Sequence, residues 1–306
     1  MSRSSAWLFP GQGSQGPRLG WDLCEAFPTV GARVRAAGLC ADLDLLTCLE
    51  HGSAADLSDT FVAQVLVFAL SVGTAELIAN QGGRPAAVSG HSLGELSALV
   101  AGGWLSWDAA LPFVTTRARA MRECCLSTAG AMVAVMGLTV DQVTTLCARH
   151  ESLALANVNS DSQVVLSGRV PDVAAAQDDA ELWGASCARL TVAGAYHSEL
   201  MRPAAEAMAP LVAGLPLREG VVTLVSSMDG QVVADPEAYR RQLLTQIVSP
   251  VRWNDAAQRV TSLARSGVEV GPGRVLRNLM RRMQPGWSVG STGDVAAVRA
   301  CLEDVT

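Results

Sequence analysis

Apolar residues recur along the chain in two rhythms: short runs, and longer stretches with helical spacing. The runs near 5–9, 86–89, 222–226 and 268–270 read as buried strands. The segments between them place apolar residues at i, i+3 and i+4, as amphipathic helices do. That alternation predicts a large α/β domain. The middle of the chain has a pattern of its own. Residues 131–136 read as a strand, and Thr139 caps a helix running to about 149. Strands are expected at 153–156 and 163–166, a helix from Pro171 through Trp183, and a last strand at 187–192. The order β-α-β-β-α-β is ferredoxin-like. It predicts a small domain at 128–194, inserted into a larger one made of 1–127 and 195–306.

Composition fits a globular chain with a substantial core: 306 residues, 49% hydrophobic and 17% charged. The best apolar stretch, 65–79, is interrupted by Ser71, Gly73, Thr74 and Glu76, so no membrane span is expected. The apolar run at 6–9 stops at Pro10 and makes no signal-peptide core. A cytoplasmic protein is therefore expected. The eight cysteines include no C-x-x-C pair and adjoin no histidine cluster, so they are expected to be small reduced core residues, with no metal site. All 23 basic residues are arginine. Without lysine, Schiff-base chemistry, pyridoxal phosphate attachment and a P-loop are excluded. A net charge of −6 argues against nonspecific nucleic-acid binding but leaves room for an anionic substrate at clustered arginines.

The chemistry centres on Gly90-His91-Ser92-Leu93-Gly94. A short strand precedes it, a helical pattern from Leu93 to Ala101 follows, and Gly102-Gly103 stops that helix. The spacing is that of a nucleophile elbow: a tight strand-to-helix turn lifts the Ser92 hydroxyl out of the sheet, beside the first N–H groups of a helix. Ser92 needs a base, because a serine hydroxyl is hardly ionised at neutral pH. His91 is its neighbour in a diverging turn and is better suited to lining a pocket. His51 and His150 read as surface-loop residues. His197, in Ala195-Tyr196-His197-Ser198, follows the small domain where the two domains meet, a common place for a cleft, and is the expected base.

Taken together, the motifs resemble the malonyl-CoA:acyl carrier protein transacylase family, including the acyltransferase domains of polyketide and fatty acid synthases. The likeness runs through Phe9-Pro10-Gly11-Gln12-Gly13-Ser14, Gly90-His91-Ser92-Leu93-Gly94-Glu95 and Arg117-Ala118-Arg119-Ala120-Met121. It continues through Ala156-Asn157-Val158-Asn159-Ser160 with Gln163, Ala195-Tyr196-His197-Ser198, Gln246 ahead of Ser249-Pro250-Val251-Arg252-Trp253, and Glu269-Val270-Gly271-Pro272-Gly273. It covers nearly the whole chain. The resemblance implies an α/β-hydrolase-like large domain carrying the ferredoxin-like insertion. It also implies Ser92 as nucleophile, His197 as base and later acid, and the backbone N–H groups of Gln12 and Leu93 as the oxyanion hole. A backbone carbonyl near Gln246 would orient the histidine in place of a triad carboxylate. Glu95 is expected to cap or pack.

The same resemblance sets Arg117 to hold a malonyl carboxylate, with Met121, Gln64, His91 and Tyr196 around the acyl group. Arg119 and Arg122 are read as ordinary surface residues. Three positions depart from the family. Val65-Leu66 follows Gln64 where Pro-Ala is usual. Tyr196 stands where malonyl-selective members often have phenylalanine, and its ring would crowd an α-methyl group. Ser227-Met228-Asp229 replaces a segment that often contains asparagine.

The implied reaction moves malonyl from CoA to Ser92 and then to the phosphopantetheine thiol of an acyl carrier protein. CoA is a substrate and no metal or prosthetic group is required. The partners would be malonyl-CoA and the carrier, with no nucleic acid or membrane, and the chain is expected to be a monomer. Arg274, Arg277, Arg281 and Arg282 would help to steer the acidic partners. An editing thioesterase, a transferase of another acyl group and a carrier-binding protein without chemistry are the alternatives.

Overall fold

A computed structural model describes residues 5–16 and 18–304. Its larger sheet has five parallel strands. These are β1 (Ser5–Phe9), β2 (Ala87–Gly90) and, after a second sheet of four strands, β7 (Thr223–Val225), β8 (Ser266–Glu269) and β9 (Ser288–Ser291), in the order β7-β2-β1-β8-β9. Successive side chains of β1 point to opposite faces, and both faces are covered. Trp7 and Phe9 pack with Val30, Val34, Leu66 and Leu70 from two long helices, while Ala6 and Leu8 pack with Trp253, Leu276 and Met280 on the other side.

The second sheet is antiparallel: β3 (Gly130–Met136), β4 (Ala154–Ser160), β5 (Gln163–Arg169) and β6 (Ser186–Arg189), in the order β4-β5-β3-β6. With the helices Val140–Cys147 and Val170–Leu182 this is the ferredoxin-like arrangement. Thr139 closes a capping box with Gln142, as its position suggests. Val133, Val135, Val164 and Leu166 bury one face against those helices. Met132, Ala134 and Val165 bury the other against Met121, Tyr196, Met201 and Ile247, which belong to the larger body.

Several expectations need adjustment. The strands expected at 153–156 and 187–192 run instead over Ala154–Ser160 and Ser186–Arg189. Strand β9 was not anticipated. The stretch read as too interrupted to span a membrane is part of one helix, Thr60–Asn80, of 21 residues, long and apolar enough by length and composition to do so. Its residues are instead mostly buried, in the centre of the main core, where Ser71 and Thr74 lie with the apolar side chains. Among the described residues the cysteines form no disulfide, but only Cys124 and Cys301 are buried; Cys40 is exposed and the others are half-buried.

Candidate active site

The ends of β1 and β2 lie side by side, with Phe9 paired to Gly90, so the loops that follow them start from one edge. The His91 N–H donates to the Phe9 carbonyl at 3.0 Å, which begins the turn. Ser92 has φ 51°, a left-handed backbone uncommon for a side-chain-bearing residue and the strained geometry of an elbow. The helix Gly94–Ala101 can start there because Gly94 lies against the backbone of β1: a Cβ at 94 would sit 2.0 Å from the Phe9 oxygen. Gly11 makes a similar approach, since its Cβ would meet the His91 carbonyl at 2.8 Å. That closeness sets the Gln12 loop against the turn that carries the serine. Among the described residues, the N–H groups of Gln12 and Leu93 have no acceptor inside the protein.

His197 arrives from the other direction. The chain leaves β6, returns to the larger body, and sets His197 in a left-handed conformation (φ 57°) with Nε2 2.7 Å from Ser92 Oγ. Its Nδ1 faces two main-chain carbonyls, Ser249 at 2.9 Å and Gln246 at 3.1 Å. Both are acceptors, so the proton resides on Nδ1, and Nε2 presents its lone pair to the hydroxyl. Burial, then the nearby Arg117 charge, push the imidazole down to about 4, so it is neutral at neutral pH. The supporting loop is tied to the small sheet: the Val158 N–H donates to the Val251 carbonyl and the Val251 N–H to the Ala156 carbonyl, each at 2.8 Å.

Arg117 projects from the helix Trp107–Ser127 and is 3% exposed. Nη1 donates to the Gln64 side-chain oxygen and Nη2 to that of Gln246 at 3.3 Å; Nε has no partner among the described residues. Both partners are neutral amides. Burial lowers this guanidinium to about 10, so it stays charged, with donor capacity to spare for an anion. Gln64 also donates to Gln12 Oε1 at 3.4 Å and to Met121 Sδ at 3.3 Å. Gln12 in turn donates to the Tyr196 hydroxyl at 3.1 Å, which lies 2.7 Å from Thr60 Oγ1. Ser92, His197, Gln246, Arg117, Gln64, Met121, Gln12 and Tyr196 are thus joined in one connected network; Leu93 adjoins it only through the chain, and His91 occupies its edge. His91 bonds Asn159 Oδ1 at 3.0 Å, and its ring lies 5.8 Å from that of Trp253; burial lowers its pKa.

Glu95 departs from the expected capping or packing role. It is fully buried and accepts from the Ser227 N–H at 3.2 Å, Ser227 Oγ at 3.1 Å and Gln246 Nε2 at 3.1 Å. Sequence reasoning missed that link and also missed Thr60 and the Ser249 carbonyl; no local pattern marks them. Arg119 lies over the Phe61 ring and Arg122 pairs with Asp59 at 2.6 Å. His51 is exposed, whereas His150, expected in a surface loop, is largely covered and lies 3.4 Å from Asp179.

A cleft of about 610 Å³ opens beside Gln12 and His91, between the helix Val275–Met283 and the small sheet. Asn157 and Asn159 lie in its wall, and Arg189 and Arg282 flank it. Of the other arginines on that helix's side, Arg274 is paired with Asp294 at 2.6 Å.

Comparison with known proteins gives the same picture. A family model described as an acyl transferase domain matches residues 6–294. The chain is 34% identical over 284 residues to a malonyl CoA-acyl carrier protein transacylase of Bacillus subtilis (strain 168), covering 91% of this chain and 90% of that one. It is 32% identical to the protein of that name from Escherichia coli (strain K12), with 97% and 98% covered. Among solved structures, a malonyl-transacylase in complex with its type II polyketide synthase acyl-carrier protein superposes with a TM-score of 0.93, at 32% identity over 98% of this chain and 99% of that one. On these matches, the chain belongs to the acyl transferase domain family and groups with its malonyl CoA-acyl carrier protein transacylases.

Proposed function

We propose that this chain transfers a malonyl group from CoA, through an ester on Ser92, to the phosphopantetheine thiol of an acyl carrier protein, for fatty acid or polyketide synthesis. The observation that carries the malonyl assignment is Arg117, a buried cation bonded only to neutral amides beside the Ser92–His197 pair. An acyl group ending in a carboxylate supplies a directly bonded anion through a charge-assisted pair.

Ser92 Oγ attacks the thioester carbonyl as His197 Nε2 takes its proton. The Gln12 and Leu93 amides receive the oxyanion, and the departing CoA thiol recovers the proton from His197. The carrier's thiol then attacks the ester by the reverse sequence and frees Ser92. The carbonyls of Gln246 and Ser249 hold the Nδ1 proton throughout, the orienting task that a carboxylate performs in a triad. CoA enters as a substrate, and the cycle calls for no metal or prosthetic group. Gln64, Met121, His91 and Tyr196 are assigned to the acyl pocket, and Arg189 and Arg282 to attracting the acidic partners along the cleft. In this scheme residues 1–127 and 195–306 form the catalytic domain, and 128–194 a small domain bearing the far wall of the cleft. A cytoplasmic location follows from the substrates.

Intact-mass measurement after brief incubation with malonyl-CoA tests the proposal. A malonyl adduct is expected on the wild type and none on Ser92→Ala. Arg117→Ala should slow malonyl loading roughly 10–100-fold, the value of one charged hydrogen-bonded contact. Equal loading of acetyl-CoA, indifferent to Arg117, would overturn the malonyl assignment.

A further inference from the structure

Glu95 is a carboxylate with no solvent contact, one helical turn past the nucleophile, and the transfer scheme gives it no task. The Ser227 N–H, the Ser227 hydroxyl and the Gln246 amide nitrogen are three donors directed at it, with the Ser226 and Tyr239 side chains beside them. The Ser227 N–H and the Gln246 amide nitrogen can only donate, so they favour the ionised carboxylate, against burial, which raises its pKa. Ser227 is one of the positions that depart from the family's asparagine-containing segment, and here it supplies two of the three donors.

The third partner joins this charge to the reaction. Gln246 Nε2 donates to Glu95 and, at 3.2 Å, to the Ser92 carbonyl, while its Oε1 accepts from Arg117. Turned over, the amide would set its oxygen against a carboxylate and a carbonyl and its N–H groups against a guanidinium. Only one orientation satisfies all three neighbours. The main-chain carbonyl of the same residue holds His197 Nδ1. One residue therefore contacts the clamp, the base and the nucleophile's turn, and Glu95 fixes that residue.

We propose that Glu95 is a positioning residue that acts through Gln246: its carboxylate orients the amide toward Arg117 and supplies the negative charge that balances Arg117 before the acyl carboxylate arrives and the His197 imidazolium during transfer. The inference rests on the malonyl-transfer scheme. It implies opposite effects on binding and turnover. Removing the charge leaves Arg117 with no internal counter-ion, so a substrate carboxylate is held more tightly. The same change weakens stabilisation of the imidazolium, so the transfer steps slow.

Glu95→Gln is the test: it keeps the size and one acceptor oxygen and deletes the charge, while its NH2 replaces the other acceptor and gives up a donor's hydrogen bond. Expected is a fall in kcat of roughly tenfold for both malonyl- and acetyl-CoA, the worth of about 1.4 kcal/mol. The KM should fall severalfold for malonyl-CoA alone, and that fall should vanish when Arg117→Ala is added. A KM raised for both substrates, or an effect independent of Arg117, would mark a structural role only and overturn the proposal. The wild type supplies a second readout that does not depend on the folding of Glu95→Gln. In carbon-13-labelled protein, Ser227→Ala identifies the Glu95 carboxyl resonance by the donor it removes. An ionised carboxylate at pH 7 is expected, and a protonated one would sink the idea. Absence of any malonyl adduct on wild-type Ser92 would instead refute the underlying transfer scheme.

Discussion

At the scale of single residues, the hydroxyl of Tyr196 is what a phenylalanine at that place would lack. It receives a hydrogen bond from Gln12 and lies against Thr60, which is 1% exposed. Burial pushes the phenol well above the usual tyrosine range, so it remains a neutral hydroxyl. Tyr196→Phe keeps the ring and strands two partners. The expected cost is about 1 kcal/mol of stability. Gln12, the oxyanion donor of the proposed scheme, would lose a side-chain anchor, and kcat should fall roughly 2–10-fold. Preference for malonyl- over methylmalonyl-CoA should survive, because the ring rather than the hydroxyl crowds an α-methyl group. Thermal melting and kcat for the two thioesters would check this. An unchanged kcat would show that Tyr196 only fills space.

At the scale of elements, the turn after β2 depends on backbone packed against backbone. A methyl group at Gly94 would sit 2.0 Å from the Phe9 oxygen, and neither chain has a flexible end that can move aside. Gly94→Ala should cost roughly 2 kcal/mol or more and abolish Ser92 acylation. Gly286→Ala, with nothing within 4 Å of the added carbon, is the neutral control. Melting curves and adduct mass distinguish them; equal behaviour would remove the packing argument. This element was legible in sequence because its signal is local: a strand, two glycines around a serine, then helical spacing. The β-α-β-β-α-β unit was legible for the same reason. Strand β9 was not, since Ser288–Ser291 holds Val289 as its one large apolar residue, at the edge of the sheet. Strand β4 runs beyond its apolar start because Asn157 and Asn159 lie in the cleft wall and break the pattern. Glu95 was least legible of all. Its partners lie 132 and 151 residues away, and no local periodicity encodes such contacts.

At the scale of the whole molecule, the buried site ties stability to pH through groups shifted in opposite senses. Burial and then Arg117 lower His197 from 6.5 to about 4. Burial raises Glu269 from 4.5 to about 7, against the main-chain N–H groups of Arg277 and Leu276 that donate to its carboxylate. Between about pH 4 and 6.5 the unfolded chain binds the extra proton at His197, so that site's contribution is lost as pH falls through this window. Between about 4.5 and 7 the native state holds the extra proton at Glu269, so stability there is lost as pH rises. The two slopes oppose each other where the windows overlap. His91 adds to the first, since burial lowers it too. Each of the two large shifts is worth up to about 3 kcal/mol at 1.36 kcal/mol per unit. Single variants should therefore tilt the melting profile in opposite directions. Relative to wild type, His197→Gln should gain stability as pH falls from 6.5 toward 4.5, and Glu269→Gln should lose it. Acylation adds an independent check, because the base acts in its neutral form: kcat/KM for malonyl-CoA should hold down to near pH 4 before His197 protonates. Tilts of the same sign in both variants, or an acid limb near pH 6.5 as for an exposed imidazole, would show that the base is not buried during turnover.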